Sequence, residues 1–444
     1  MKSRDRAVVF LVALAVRAVV AWIFFGSVDL TNAMLYTARL FDGAPVSSIP
    51  VPYLPGAYQL LIRLSGVLAI ETAMPLAFAY KLFPLVFDAA IAVLVRDVRG
   101  RRIGLLYALA PVPIIIITIH TQWDAIAFEL LLLALLTIAR YPAFAGVAFV
   151  LSVLVKPIAI PFAPLLLTKR SAISMAATFA AYLLVMQPSW TSIRGVAYYA
   201  TWGAQPFGLP VITGGQVNRL LALAPLLLLV PLYWKGRITR LEAVTLFLAF
   251  ILASSGMSPQ YLLWIVPFLL ICGYTRYAAL YSLAAGWFLL IYYRHPGPDG
   301  FNYENLGALA PLRSVAWLTP PMTDTSLFTI LGSLVIPLSA LAFFVIQLIK
   351  AMRRTTATEP VVPVSFWPTA VAIAVVILAL LVPSQPATLN AKTADYAMTR
   401  YHGPGLRHPD EPTWIIEQRH SPVNAASIGY AWVILWSAAA WTIR

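Results

Sequence analysis

The chain has 444 residues, of which 61% are hydrophobic and 11% are charged, and its mean hydropathy is +0.82. Soluble domains are typically about 45–50% apolar and about 25% charged, so the composition excludes an ordinary soluble enzyme and predicts an all-α polytopic membrane protein. The net charge of +14 does not indicate a nucleic-acid partner, because the basic residues are dispersed among apolar segments. Orientation in the bilayer and contact with anionic membrane lipids account for it better.

The basic residues within 1–6 precede the apolar segment 7–25, which approaches the roughly 20 residues needed to cross a bilayer. No small-residue cleavage site follows this segment, so we expect an uncleaved signal-anchor. Cys272 is the only cysteine, which excludes an intramolecular disulfide.

The apolar segments and the charges between them predict a helical bundle of about 12–14 spans, with a long first extracytoplasmic loop at 26–72. The predicted spans lie near 7–25, 73–95, 103–119, 125–139, 143–155, 157–168, 172–188, 216–234, 241–256, 261–275, 277–293, 325–349, 364–383 and 425–443. The segments on either side of Lys156-Pro157 are too short to cross alone, and we expect half-helices or a re-entrant pair there.

The short basic loops agree on one orientation by the positive-inside rule, and this orientation places both termini in the cytoplasm. The loops that then face outward are 26–72, 189–215, 294–324 and 384–424. We therefore expect a multi-pass protein of the plasma or inner membrane with an extracytoplasmic site. Residues 1–325 are predicted to form a catalytic module, and residues 326–444 to add C-terminal helices and the outer loop 384–424.

Asp29 lies directly after the first apolar segment, where the membrane meets water. One interpretation is that it caps a short interfacial helix predicted at Thr31–Phe41 by accepting a backbone N–H. The other is that it is a general base, because a partly desolvated carboxylate is suited to take a proton from an alcohol. Asp42 lies in the same predicted loop, although Asp42-Gly43 is also typical of a turn.

The cluster His120–Asp124 interrupts nearly continuous apolar sequence, a costly position for polar groups unless they face water, a partner or a substrate. A short polar hairpin between two helices would explain it. The alternative is a sugar site, in which the indole of Trp123 packs on the ring while Gln122 and Asp124 bind hydroxyls. His120 has no second ligand at metal spacing, so we predict no metal site.

Three further polar clusters are predicted to reach the same face. Lys156 either snorkels to the interface or neutralises a phosphate at a broken helix. Arg294-His295 opens an outer loop, where it either anchors the helix end at the membrane surface or also neutralises a phosphate. Ser258-Pro259 is typical of a turn, which would place Gln260 and Tyr261 at the start of a returning helix.

Other familiar chemistries have no support in the sequence. It contains no Walker A loop, no dinucleotide-binding glycine fingerprint, no H-E-x-x-H and no convincing nucleophile elbow. Nucleotide hydrolysis, hydride transfer and zinc proteolysis are therefore not predicted, and no cofactor is expected.

Together these clusters resemble the GT-C superfamily of membrane glycosyltransferases, and within it the polyprenyl-phosphate-mannose-dependent mannosyltransferases. The resemblance covers about residues 1–295 and consists of four motifs in order. These are Asp29 followed by Pro52-Tyr53-Leu54-Pro55, then Gln122-Trp123-Asp124, then Lys156-Pro157, and finally Ser258-Pro259-Gln260-Tyr261-Leu262-Leu263-Trp264. The family pattern often has a second acid in the first loop, whereas here Leu30 follows Asp29.

The resemblance implies inverting transfer of a hexose, mannose in that family, from a polyprenyl-phosphate sugar to a lipid or glycan acceptor, without a nucleotide sugar or a metal. Asp29 would be the catalytic base, with Asp42 as the alternative, and the donor phosphate would meet Lys156 or Arg294. The predicted substrate-binding residues are Asp42, Tyr53, Gln122, Trp123, Asp124, Lys156, Gln260, Tyr261, Arg294 and His295.

Two other functions remain open at this point. A lipid-linked-sugar flippase or transporter would place ionisable groups well inside the spans, and Arg17, Asp88 and Glu129 are the candidates. An O-antigen-type ligase or polymerase would also work at the outer face, but with lipid-diphosphate donors.

Overall fold

The structure is a computed structural model. It describes residues 2–23, 30, 33, 54, 56–72, 76–188, 193–194, 223–254, 258–292, 327–360, 363–364, 366–367, 369–370 and 422–443. Within these residues the regular structure consists of 15 α-helices and one 3-10 helix, without a strand. The all-α prediction is therefore confirmed for the described part of the chain.

In chain order the α-helices are α1 (Lys2–Ile23), α2 (Ala57–Thr72), α3 (Leu76–Arg99), α4 (Arg101–Ala108), α5 (Pro111–Thr118), α6 (Asp124–Thr137), α7 (Pro142–Val155), α8 (Lys169–Met186), α9 (Leu226–Trp234), α10 (Arg240–Ser254), α11 (Tyr261–Trp264), α12 (Val266–Ile271), α13 (Thr275–Tyr292), α14 (Leu327–Arg353) and α15 (Pro422–Thr442). The 3-10 helix Pro157–Leu166 lies between α7 and α8.

Two helical segments of the described chain are long and apolar enough to cross a membrane, Phe78–Arg99 in α3 and Leu334–Arg353 in α14. The pair α4 and α5, which is bent by 42°, would add a third if it forms one span. The described part of the chain thus contains two or three segments of this kind, fewer than the roughly 12–14 spans predicted for the whole chain. Many apolar helices are short; α7 has 14 residues, a rise of about 21 Å against a hydrocarbon core of about 30 Å.

Helix α3 lies at the centre of the bundle and α14 lies at its edge. The apolar window of α3 is 89% buried within the protein, whereas that of α14 is 33% buried. α3 packs against α1, α2, α4, α6 and α12. An α14 with a largely uncovered apolar surface fits a lipid-facing position.

Proline residues interrupt two of the predicted spans and tighten a third into a 3-10 helix. Pro111 opens α5 after the break between α4 and α5, and Pro267 lies in the first turn of α12 after the break between α11 and α12. The predicted span 157–168 is a 3-10 helix that contains Pro157, Pro161 and Pro164. Because proline lacks an amide hydrogen and clashes with the preceding turn, each of these segments is broken or tightened instead of continuing as one α-helix.

The predicted outer loop 26–72 ends earlier than expected, because Ala57–Thr72 form α2. This helix packs against α3 and α7, and it buries Leu61, Ile62 and Leu64. These three positions are apolar at helical spacing, a pattern that also predicts a helix. The prediction of an outer loop over the whole of 26–72 is therefore wrong for residues 57–72, which form this helix.

The last two described helices, α14 and α15, pack against the rest of the bundle. α14 packs against α10 and α13, and α15 packs against α13 and α5. The indole of Trp436 in α15 donates a hydrogen bond of 2.7 Å to the carbonyl oxygen of Leu106 in α4. The division at residue 325 stays a prediction.

The segment after α14 folds back onto the start of α10, at the predicted cytoplasmic side. Arg354 donates to both carboxylate oxygens of Glu242, at 2.9 and 3.1 Å. Glu359 accepts the backbone N–H of Arg240 at 2.8 Å. Burial raises the pKa of the Glu359 carboxyl above its ordinary value, although the hydrogen bond from Arg240 opposes this shift.

Candidate functional site

A buried ion pair joins two of the polar clusters that the sequence analysis selected. The ammonium of Lys156 donates to both carboxylate oxygens of Asp124, at 2.7 Å to Oδ1 and 2.6 Å to Oδ2. Only 1% of the Asp124 side chain and 10% of the Lys156 side chain are exposed. Lys156 therefore does not snorkel to the surface. Two charges at this depth are tolerated because they compensate each other at hydrogen-bonding distance.

The sequence Lys156-Pro157 places the ammonium at a break between two helices. α7 ends at Val155, and Lys156 is extended with φ −152° and ψ 122° before Pro157 opens the 3-10 helix. A residue that precedes proline is disfavoured in the helical region, so the dipeptide itself ends α7. The side chain of Lys156 thus leaves the helix end and turns inward to Asp124.

The carboxylate of Asp124 lies in the first turn of α6, immediately after a reversal of the chain. Thr121 adopts the left-handed conformation with φ 57°. The backbone N–H of His120 donates a hydrogen bond of 3.1 Å to the carbonyl oxygen of Ile115. The backbone N–H of Gln122 donates one of 3.3 Å to the carbonyl oxygen of Ile116. The N-terminus of a helix is a favourable position for an acidic side chain such as Asp124. The predicted polar hairpin exists, and it also delivers Asp124 to Lys156.

Trp264 is a third member of this cluster. Its indole N–H donates to Oδ1 of Asp124, and its ring centroid lies 5.5 Å from the Lys156 ammonium, within the range of a cation–π contact. The ring of Tyr261 lies 4.3 Å from that of Trp264. Trp264 was quoted in the fourth motif but was not predicted as a site residue. Its spacing of three from Tyr261, which puts both on one helix face, is the signal that was available.

Aromatic rings also surround Trp123, the residue that precedes Asp124. Trp123 lies between Tyr58 of α2, at 4.7 Å between ring centroids, and Tyr80 of α3, at 6.0 Å. The hydroxyl of Tyr80 donates to the carbonyl oxygen of Ala33 at 2.7 Å. A carboxylate, an ammonium and aromatic faces, such as those of Asp124, Lys156 and Trp264, are the groups that bind a sugar together with an anion.

Lys81 is another buried cation, and it is not among the predicted site residues. It follows Tyr80 on α3, is fully buried, and donates to the carbonyl oxygen of Ala21 at 3.1 Å. Ala21 lies in the last turn of α1, where backbone carbonyls have no partner within the helix. Lys81 therefore contacts the end of the helix that precedes Asp29 in the sequence.

Two of the remaining predicted binding residues, Gln122 and Gln260, are buried near the cluster. Both are less than 10% exposed, and the hydroxyl of Ser258 donates to Oε1 of Gln260. The other predicted residues, Asp29, Asp42, Tyr53, Arg294 and His295, lie outside the described residues. The catalytic-base assignment of Asp29 and the binding roles of all these residues stay predictions.

The deep ionisable residues considered for transport contact other side chains than those of this cluster. Arg17 and Asp88 form a fully buried ion pair, and the hydroxyl of Tyr107 donates to the same carboxylate. Arg17 also donates to the carbonyl of Ala108 at 2.7 Å, so this group joins α1, α3 and α4. Glu129 in α6 accepts a hydrogen bond from Thr369, and its Oε2 has no partner among the described residues.

No group of three or more His, Cys, Asp or Glu side chains within the described part of the chain is arranged to hold a metal ion. Comparison with protein-family models, with curated proteins and with solved structures gives no match to this chain. Functional inference therefore depends on the chemistry of the cluster and on the motifs in the sequence.

Proposed function

We propose that this chain is an integral membrane glycosyltransferase of the GT-C type, which transfers a hexose from a polyprenyl-phosphate sugar to an extracytoplasmic acceptor. Mannose is the proposed sugar because of the resemblance stated above. The observation that carries the proposal is the buried cluster of Asp124, Lys156 and Trp264, in which a carboxylate, an ammonium and an indole from three separate motifs contact one another.

The composition of this cluster suits a donor that carries both a sugar and a phosphate. The rings of Trp123 and Tyr58 offer apolar faces for the C–H side of a hexose, and Asp124 accepts hydrogen bonds from hydroxyl groups. Lys156 is placed to neutralise a phosphate. The isoprenoid tail of the donor would lie between apolar helices, which a membrane bundle provides.

The proposed reaction is a single inverting displacement. The oxygen of the acceptor hydroxyl forms a bond to the anomeric carbon while the bond from that carbon to the phosphate oxygen breaks. The electron pair of the broken bond stays with the polyprenyl phosphate, and the hydroxyl proton passes to the carboxylate of Asp29. A lipid phosphate is already a tolerable leaving group, so cations that stabilise its charge contribute more than a general acid would.

The direct test offers purified protein in nanodiscs a panel of polyprenyl-phosphate hexoses, with octyl mannoside as the acceptor probe. Release of bare polyprenyl phosphate and formation of a disaccharide glycoside would be measured with and without a chelator. We expect turnover that the chelator leaves unchanged. Asp29→Asn should lower the rate by about 10²–10⁴-fold, the usual contribution of a general base.

A matched control for this assay is Arg354→Gln, which changes an ion pair at the predicted cytoplasmic side. This variant should keep the wild-type rate. If no polyprenyl-phosphate sugar is turned over by a folded wild-type protein, the proposed function is wrong. If Asp29→Asn keeps full activity, only the base assignment is wrong.

The rival function is transport of a lipid-linked sugar, and Glu129 is the observation that favours it. A buried intramembrane carboxyl that has one oxygen without a described partner is typical of proton-coupled carriers. Vesicles that contain the protein and a fluorescent lipid-linked sugar would show movement between leaflets without any change of the lipid. That result, together with absent turnover, would replace the enzyme with a transporter.

A further inference from the structure

The two carboxylate oxygens of Asp124 have different partners. Oδ1 accepts from both the indole of Trp264 and the ammonium of Lys156, whereas Oδ2 accepts from Lys156 alone among the described residues. If Lys156 moved away, Trp264 would still hold Oδ1. The carboxylate would then keep its orientation and present Oδ2 to another donor.

The same ion pair creates an electrostatic conflict for an anionic ligand. The charges of Lys156 and Asp124 cancel, so a phosphate that approaches the closed pair meets an attractive ammonium and a repulsive carboxylate at nearly the same distance. A phosphate can gain the full attraction of Lys156 only when the ammonium turns from Asp124 toward it. The buried carboxylate must then find a different hydrogen-bond donor, because leaving it unpaired is costly.

We propose that donor binding transfers Lys156 from Asp124 to the donor phosphate, and that a hydroxyl of the donor sugar then replaces the ammonium on Oδ2 of Asp124. This inference rests on the proposed function and names how its site selects the substrate. Asp124 is a specificity-determining residue in this exchange. Trp264 is a positioning residue, because it acts on the substrate only through the orientation of Asp124.

The exchange predicts that the site distinguishes the donor from the lipid product. A polyprenyl-phosphate sugar supplies both the phosphate for Lys156 and the hydroxyl for Asp124. Bare polyprenyl phosphate supplies only the phosphate, so it leaves Oδ2 of Asp124 without a donor while Trp264 still donates to Oδ1. A hydrogen bond to a charged group corresponds to a preference of about tenfold or more for the sugar-bearing lipid. After transfer, Lys156 returns to Asp124 and the bare lipid phosphate is released.

The test measures the affinities of farnesyl-phosphate mannose, farnesyl phosphate and farnesol for the full chain in nanodiscs. Wild-type protein should bind the mannose-bearing lipid about ten times more tightly than farnesyl phosphate, or better. In Asp124→Asn the preference should fall to about threefold or less, because the neutral amide carries no charge to compensate. The affinity for farnesyl phosphate should rise, since Lys156 no longer has to leave a carboxylate.

Two further variants keep the inference testable if Asp124→Asn fails to fold. The double variant Asp124→Asn with Lys156→Met removes both charges, and it should bind farnesyl phosphate no better than farnesol. Trp264→Phe keeps the aromatic ring but removes the N–H donor to Oδ1. It should reduce the preference for mannose while leaving the affinity for farnesyl phosphate within about twofold, because Lys156 is retained.

The possible outcomes distinguish a failure of the exchange alone from a failure of the proposed function. If wild-type protein binds no farnesyl-phosphate lipid better than farnesol, the proposed function and the inference fail together. If wild-type protein binds and transfers mannose but Asp124→Asn keeps both its preference and its affinity for farnesyl phosphate, only the exchange is wrong. A double variant that retains wild-type affinity for farnesyl phosphate would also overturn the exchange.

Discussion

The buried Asp124–Lys156 pair gives the sharpest prediction about stability. Lys156→Met replaces the ammonium by an unbranched apolar side chain of similar length and leaves the carboxylate of Asp124 in the interior. Asp124→Asn leaves the ammonium of Lys156 there instead. The double variant removes both charges. We expect each single variant to be less stable than the double variant, because a single substitution removes one member of a buried ion pair and leaves the other charge in the interior.

The structure sets the magnitude of this effect. Lys156 contacts both oxygens of Asp124 within 2.7 Å, and the two side chains are 10% and 1% exposed. Removal of one partner from a buried pair typically costs about 3–5 kcal/mol, whereas replacement of both partners by neutral groups is often nearly neutral. In Lys156→Met the indole of Trp264 still donates to Asp124, so this variant should lie toward the lower end of that range.

The assay is equilibrium unfolding in mixed micelles with increasing mole fraction of sodium dodecyl sulfate, followed by tryptophan fluorescence. Arg354→Gln is the control, since Arg354 also contacts both carboxylate oxygens of its partner but is 40% exposed. Exposed pairs contribute about 0–1 kcal/mol. A double variant that loses as much stability as the two single variants added together would contradict compensation within the pair, and so would an Arg354→Gln that costs as much as Lys156→Met.

Three further predictions use the same unfolding measurement. Arg17→Met should cost about 3–5 kcal/mol, because it leaves the Asp88 carboxylate charged in the interior; a loss below about 1 kcal/mol would contradict this. Gly146→Ala should cost about 1–3 kcal/mol, because the added carbon would lie 2.5 Å from the carbonyl oxygen of Ser171 in α8; an unchanged midpoint would show that the two helices separate easily. Burial raises the pKa of Glu359 in the folded protein above the ordinary value of 4.5. The contribution of this carboxyl to folding stability is therefore greatest at a pH below 4.5, and it declines as the pH rises through the folded pKa. Glu359→Gln should flatten this decline, and identical pH profiles for the variant and the wild type would rule it out.

Local sequence patterns predicted much of the architecture. Apolar segments between basic loops correspond to α1, α3, α10, α13 and α14 within a few residues of the expected bounds. The expectation of a broken helix at Lys156-Pro157 is confirmed, since proline excludes the amide hydrogen bond that would continue α7. These features depend on residues close in sequence, so periodicity and proline position are sufficient to find them.

Features that depend on distant residues were not predictable in the same way. α2 was assigned to a loop, although it packs against α3 and α7. Lys81 is not among the predicted residues, because its complete burial depends on the packing of α3 against α1, where it donates to the carbonyl oxygen of Ala21. Trp264 is one of 13 tryptophans, and its contact with Asp124 spans 140 positions in the chain. A sequence pattern with no information about helix neighbours cannot distinguish such a contact from ordinary aromatic packing.

The sequence by itself determined the helical class, the predicted residence in a membrane and the chemical types of the groups available for a site, because composition and short-range pattern set these properties. Only the tertiary structure decided that Asp124, Lys156 and Trp264 form one cluster, while Arg17 and Asp88 form a separate ion pair. The physical reason is that burial makes pairing obligatory. A charge inside the bundle must be compensated by whichever side chain the packing of helices brings within hydrogen-bonding distance, and that neighbour is a property of the fold.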